Sequence, residues 1–237
     1  MPASLRPSAT TIRRTMRQSE GVQRIALVCL VLVVAALIAP VAQADSFSAK
    51  VTPIPREMRT TMTGVSWHKG CPVGLGSLRL ITSTYHLPAG GTATGQLIVH
   101  RDVAPAVKRI LKRLWKLDYP IARMDPIDKY GGDDWQSIEA NNTSAFNCRA
   151  ATGSSNWSNH AYGRAIDINP IENPWIENGK VFHKASWQYI DRTKRKSPLQ
   201  ILPGDKVVKA FAAEGWGWGG AWSGSTLDTQ HFSITGR

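Results

Sequence analysis

Arg13, Arg14, Arg17 and Arg24 stand before an almost unbroken apolar run, Ile25 to Ala39. This pairing decides which part of the chain has to fold. At about 15 residues the run is short of the ~20 that span a bilayer. It is followed by Pro40-Val41-Ala42-Gln43-Ala44 and then Asp45. A basic stretch, an apolar stretch and an A-x-A site make the secretory pattern, so residues 1–44 read as a signal peptide. The other reading of the same residues is an uncleaved N-terminal anchor. Removing 1–44 takes five Arg and one Glu with it, lowering the net charge from +12 to +8 over the remaining 193 residues. Cys29 leaves too. Cys71 and Cys148 then remain as an even pair in an exported chain, which predicts one disulfide. Two separate free thiols are the alternative.

The exported part has the size of one domain. Its hydrophobic content, 42% over the whole chain, is enough for an ordinary core. Residues 45–69 are polar with scattered prolines and read as a lead-in to a domain at 70–237. Leu78–Tyr85 has the β-branched and aromatic content of a strand, Gly90-Gly91 marks a turn, and Gln96–His100 reads as a second strand. Asp102 is placed to cap a helix through about Leu117. Val103, Val107, Ile110, Leu111, Leu114 and Trp115 form its apolar stripe. Lys108, Arg109, Lys112, Arg113 and Lys116 lie largely opposite, a face read as solvated. Residues 125–158 read as loops with short elements. Ala165–Ile168 is a short buried strand, Asp205 caps a second helix over Lys206–Glu214, and Gln230–Ile234 closes the chain as a strand. The expected class is α+β, a mostly antiparallel sheet with flanking helices in a single domain. The positive charge suits an anionic envelope polymer. No nucleic-acid motif is visible, and a monomer is expected.

Six histidines are present, and two keep unusual company. In Ser158-Asn159-His160-Ala161-Tyr162-Gly163-Arg164-Ala165-Ile166-Asp167, a glycine permits a tight turn after His160, and a short apolar strand then carries Asp167. A carboxylate flanked by Ile166 and Ile168 is costly to bury without a partner. A metal would serve, and so would a plain Asp–His hydrogen bond. In Asp228-Thr229-Gln230-His231-Phe232 a carboxylate lies three residues before a histidine on an apolar strand. Two His and one Asp make a three-ligand zinc site with the fourth position open for water, and a further carboxylate is what hydrolysis then requires.

At these residues the sequence resembles the zinc peptidases that include D-alanyl-D-alanine carboxypeptidases and phage L-alanyl-D-glutamate endopeptidases. Their wider group contains the lysostaphin-like and hedgehog zinc folds. S-x-H-x-x-G-x-A-x-D is matched by Ser158, His160, Gly163, Ala165 and Asp167. D-x-x-H-F is matched by Asp228, His231 and Phe232. Trp216–Gly220 and Thr143–Arg149 also look like segments of that family, so the resemblance runs from about residue 70 onward. It implies zinc held by His160, Asp167 and His231, with Asp228 as the base. It also implies Arg149 at the scissile carbonyl and Ser158 in contact with substrate. An ordinary ion pair would account for Arg149 equally, and a turn hydrogen bond for Ser158. Trp216, Trp218 and Trp222 offer a stacking platform or core packing. Tyr162 is a candidate for the cleft wall, and Arg164 and Arg149 for a carboxylate pocket.

The implied activity is zinc-dependent hydrolysis of peptidoglycan stem peptides, by a secreted or envelope-bound protein. The alternatives are a wall- or partner-binding domain that keeps the fold without catalysis, and a hydrolase using Cys148 as a thiol.

Overall fold

The computed structural model describes residues 46–237, so the signal-peptide reading of 1–44 falls outside the described residues. Three strands form a meander: β1 (Ala49–Pro53), β2 (Leu78–His86) and β3 (Thr92–His100), in the order β1-β2-β3. The β2–β3 hairpin is in register from Leu78↔His100 to His86↔Thr92, and its turn is made by Gly90 and Gly91, both at positive φ. β1 pairs antiparallel with β2, Ala49 opposite Ser83. The segment read as a lead-in therefore supplies an edge strand. The prolines that argued against structure there are tolerated because an edge strand leaves one row of N–H groups without a ladder partner. Helix α1 (Arg56–Met62) follows and buries Met62.

Both faces of this sheet are covered. Ile81, Leu97 and Val99 point into the main core, where α2 (Ala104–Lys116) lays down Val107, Ile110, Leu111 and Leu114. On the other face Leu78, Leu80 and Ile98 join Ile54, Met62, Phe146 and Cys148 in a second apolar cluster. Alternation with period two sends successive side chains of one strand to these two clusters.

Two caps differ from expectation. The residue before α2 is Val103, with no side-chain cap, and Pro105 in the first turn supplies the helical start instead. Asp102 is engaged elsewhere: its carboxylate accepts from Arg164 at 3.0 Å and lies 3.2 Å from His100 Nδ1. Asp205 precedes α4 (Lys206–Ala212), but its carboxylate accepts from Arg195 and from the Leu202 N–H, not from the helix.

The second half of the chain is built from short pieces. β4 (Arg123–Met124) pairs parallel with β5 (Asn142–Thr143), and α3 (Asp134–Glu139) lies between them in sequence. β6 (Ala165–Asp167), β10 (His231–Ser233) and β8 (Gly217–Trp218) form a second antiparallel sheet, ordered β6-β10-β8. β7 (Trp175–Glu177) pairs antiparallel with β9 (Thr226–Asp228). The chain is thus α+β and mostly antiparallel. Behind β10, Phe232 stacks on Phe211 of α4 at 3.9 Å between ring centres, which ties the second sheet into the main core.

Two links outside the core fix the halves. The Cys71–Cys148 disulfide is formed, across a sequence separation of 77. Glu214, just beyond α4, accepts from Arg109 at 2.6 and 2.9 Å and also from Arg113, so part of the basic face of α2 clamps α4 rather than facing water alone.

Reducing the disulfide or replacing Cys71 by Ser should lower unfolding stability by ~2–4 kcal/mol, the usual worth of a bridge closing a long loop; denaturant melts with and without reductant read it. The hydrogen bonds from Arg109 and Arg113 hold Glu214 below the usual carboxylate range. A depressed carboxylate stabilises the fold above its unfolded value, and that contribution disappears as pH falls through the folded value. Glu214→Gln should therefore melt below the parent at neutral pH, with the gap closing in acid. A gap of the same size at about pH 2, below the ordinary Glu range, would remove the ion pair as its cause.

Candidate metal centre

The site begins with a register. In the β6–β10 pair His231 stands opposite Asp167, and Phe232 opposite Ile166. Directly opposed residues of an antiparallel pair share a face. Phe232 and Ile166 go to the core, so His231 and Asp167 emerge together on the other side. Asp167 Oδ1 lies 3.0 Å from His231 Nδ1.

His160 arrives from a single 3-10 turn, Asn159–Tyr162. Ser158 caps the turn, its Oγ accepting the His160 N–H at 3.2 Å, and Gly163 ends it in the left-handed region at φ 65°. Glycine is required at 163 for a second reason. A Cβ there would sit 2.7 Å from the backbone N of His100, which donates to the Gly163 carbonyl at 2.8 Å. That contact seats the turn on β3. His160 Nε2 then lies 3.2 Å from Asp167 Oδ2 and 3.2 Å from His231 Nδ1.

The chemistry of these three atoms asks for a cation. His160 Nδ1 faces the Ala145 carbonyl at 2.5 Å. A carbonyl only accepts, so Nδ1 carries a proton, and in the neutral ring Nε2 presents a lone pair to the centre. His231 Nε2 likewise faces the Arg237 carbonyl at 3.2 Å, which leaves Nδ1 inward. Burial opposes charge on both His231 and Asp167. It is outweighed at His231 by the hydrogen bond and charge of Asp167, which push the imidazole upward. At Asp167 the charges and hydrogen bonds of the two histidines hold the carboxyl below its ordinary range. Protons on both imidazoles would answer these contacts only by burying two cations beside one carboxylate. A divalent cation answers all three. The donors are two imidazoles and a carboxylate within 4.8 Å of one another, a set that suits zinc. The carbonyl of Ala145 orients one ring from behind, as outer partners of ligating histidines do.

This cluster lines a cleft of about 660 Å³. Asp228 closes β9 at its edge, buried, with Oδ2 3.9 Å from His231 Nδ1 and Oδ1 without a hydrogen-bond partner. Burial, then the charge of Asp167, pushes its carboxyl up. Gly219 makes room for it: a Cβ there would meet the Asp228 carbonyl at 2.4 Å. Arg149 lines the same cleft, ion-paired to Asp134, with its Nε unpartnered. Ser158 lines it too, while its hydroxyl caps the His160 turn, so both accounts of that serine describe it.

Three sequence expectations need correction. Trp218 is not a substrate platform. It is 6% exposed, packs near Phe232, and spends its indole N–H on the Thr229 carbonyl. Trp216 is core as well. Of that trio only Trp222 reaches the cleft, 6.1 Å from the His231 ring. Tyr162 is half-buried and is not part of the cleft wall, because its turn presents His160 there instead. Arg164 is tied to Asp102, away from the cleft.

Sequence reasoning missed Asp134, which also accepts from Asn147 Nδ2 at 3.0 Å, and the cleft residues Trp157, Trp175 and Gln230. No spacing pattern links Asp134 and Trp175 to the motifs, while Trp157 and Gln230 stand beside or within them at positions the motifs leave open.

Protein purified without a metal-affinity tag should carry about one equivalent of divalent metal, and lose affinity as acid protonates the ligands. His160→Ala should lose the metal; elemental analysis showing full retention would take His160 out of the site.

Among known proteins, residues 152–234 match the family model described as D-alanyl-D-alanine carboxypeptidase. No curated protein and no solved structure matches the chain. The match is shorter than the resemblance read from sequence, and it leaves Cys148 and Arg149 outside. It does contain both motifs, the His160 turn and the β6–β10 pair. Over the segment 152–234, which brings the three clustered side chains and Asp228, the chain is therefore similar to the D-alanyl-D-alanine carboxypeptidase family.

Proposed function

We propose that this chain is a secreted zinc-dependent peptidase acting on the stem peptides of peptidoglycan. The observation that carries the reading is the His160/Asp167/His231 cluster on the wall of a cleft that also holds an unpartnered carboxylate oxygen and a cationic donor. The family match supports peptides as the substrate class. A formed disulfide supports an oxidising compartment. No helix among the described residues is long and apolar enough to cross a membrane.

In this reading His160 Nε2, His231 Nδ1 and an Asp167 oxygen hold zinc. The ion supplies Lewis-acid polarisation of the attacking water and of the scissile carbonyl. Asp228 would take the proton of the attacking water and give it to the departing amine. A carboxyl pushed up by burial suits a role in which the proton is held between two steps. Arg149, on the cleft wall, would set its positive charge beside the carbonyl oxygen as negative charge develops there. Asp134 keeps the guanidinium in place, and the bridge at Cys148 anchors the adjacent residue.

Asp228→Asn keeps size and polarity while removing basicity. It should bind metal normally and lose ~10²–10⁴-fold in rate. Purified muropeptides digested with parent and variant, and weighed, test this together with the bond cut: loss of terminal D-Ala against cleavage after L-Ala. Parent-like turnover by the variant would mean another base. A variant that arrives without metal would make Asp228 a ligand.

A further inference from the structure

Beyond the metal cleft, across His183, lies a second recess of about 710 Å³, within the range of small-ligand sites. His183 lines both spaces. Around it the surface carries flat aromatic side chains in the open: Trp135 is 49% exposed, Trp187 58% and Phe182 60%. Trp135 lies against the His183 ring at 3.8 Å, and its indole N–H is held by Glu139 at 2.9 Å, so its plane is fixed rather than free to swing. Large apolar side chains exposed beside one another mark binding surfaces more often than chance.

The polar groups here are unfinished as well. Ser186 is 1% exposed and lines the main cleft, yet its Oγ has no partner. His183 Nδ1 is also buried without one. Burial holds this imidazole below its ordinary value. Glu139 and Lys184 on the recess wall oppose each other in sign. The recess wall is therefore near neutral, carries the His183 and Trp187 rings, and has the polar Gln188 on its lining.

A pyranose ring matches that description. Its C–H face is flat and apolar, and its rim carries hydroxyl and N-acetyl groups that both donate and accept. An extended peptide matches it less well. The wall is made by α3 and the 3-10 segment Lys184–Tyr189, and neither offers a strand edge for main-chain pairing.

The geometry points to a glycan subsite: the recess walled by His183 and Trp187, which adjoins the metal cleft where Trp135 packs on the other side of His183, binds the N-acetylated sugar strand to which a stem peptide is attached, while the peptide enters the metal cleft. This rests on the stem-peptide reading for the identity of the sugar. The substrate class becomes glycan-linked stem peptide rather than free peptide.

The test uses the full exported chain and two probes, peptide-free glycan strands and free stem peptide. By calorimetry the peptide-free glycan should bind the parent. Trp187→Ala should weaken it about fivefold, the worth of one aromatic contact, and Trp187→Phe should restore most of the loss. In hydrolysis, Trp187→Ala should raise KM for glycan-linked substrate more than for free peptide. Absence of glycan binding to the parent, or equal binding to parent and Trp187→Ala, overturns the subsite. So does an equal KM increase on both substrates, which would give the wall to the peptide. A parent that binds glycan through Trp187 but cuts no stem peptide leaves the subsite standing and removes the hydrolase reading.

Discussion

Two buried imidazoles and a carboxylate aimed at one point are the constraint on which the second half of this molecule depends. His160 Nε2, His231 Nδ1 and Asp167 meet at 3.0–3.2 Å. In water such an arrangement would fly apart; here it is held by surroundings that are fully committed. The Ala145 carbonyl fixes one ring, and the opposition of His231 to Asp167 fixes the other two groups. The opposed Phe232–Ile166 pair, buried in the core, sets that register, since a one-residue slip would exchange the core face for the ligand face. Core packing and ligand placement are thus one event.

The first half provides the floor on which the His160 turn rests. β3 reaches it through the His100 N–H, and the Phe146 N–H donates to Ile98 of the same strand. Those two contacts bracket the loop that carries Cys148 and Arg149. A sheet buried on both faces resists bending, so the turn, the loop and the ligands share a stiff reference.

What was legible in the sequence was whatever depends on local period or on a short fixed spacing. Alternation around Ile166 and Phe232 predicted which side chains would be core, and left Asp167 and His231 as the pair needing explanation. Gly163 was legible as a turn; its contact with the His100 nitrogen was not, because it joins residues far apart in the chain. The same limit explains the misplaced parts. Asp102 and Asp205 have the spacing of helix caps, yet arginines distant in sequence claim both carboxylates. Trp218 and Trp222 look alike among their glycines, and only tertiary packing sends the first into the core and the second to the cleft. Asp134 had no motif at all, since a partner for Arg149 needs only proximity.

The two long-range ties occupy separate stretches of chain. The disulfide closes the loop from Cys71 to Cys148, and the histidine pair closes the loop from His160 to His231, at separations of 77 and 71. The loops follow one another and never interleave. The first closure restricts its part of the unfolded ensemble, and the second holds only in the folded state. The chain is therefore stapled in series, and the loss of one staple cannot be hidden by the other. Oxidation governs the first loop, and a cation held by His160, Asp167 and His231 would govern the second. The folded population in a given compartment then answers to two independent chemical conditions, multiplied together.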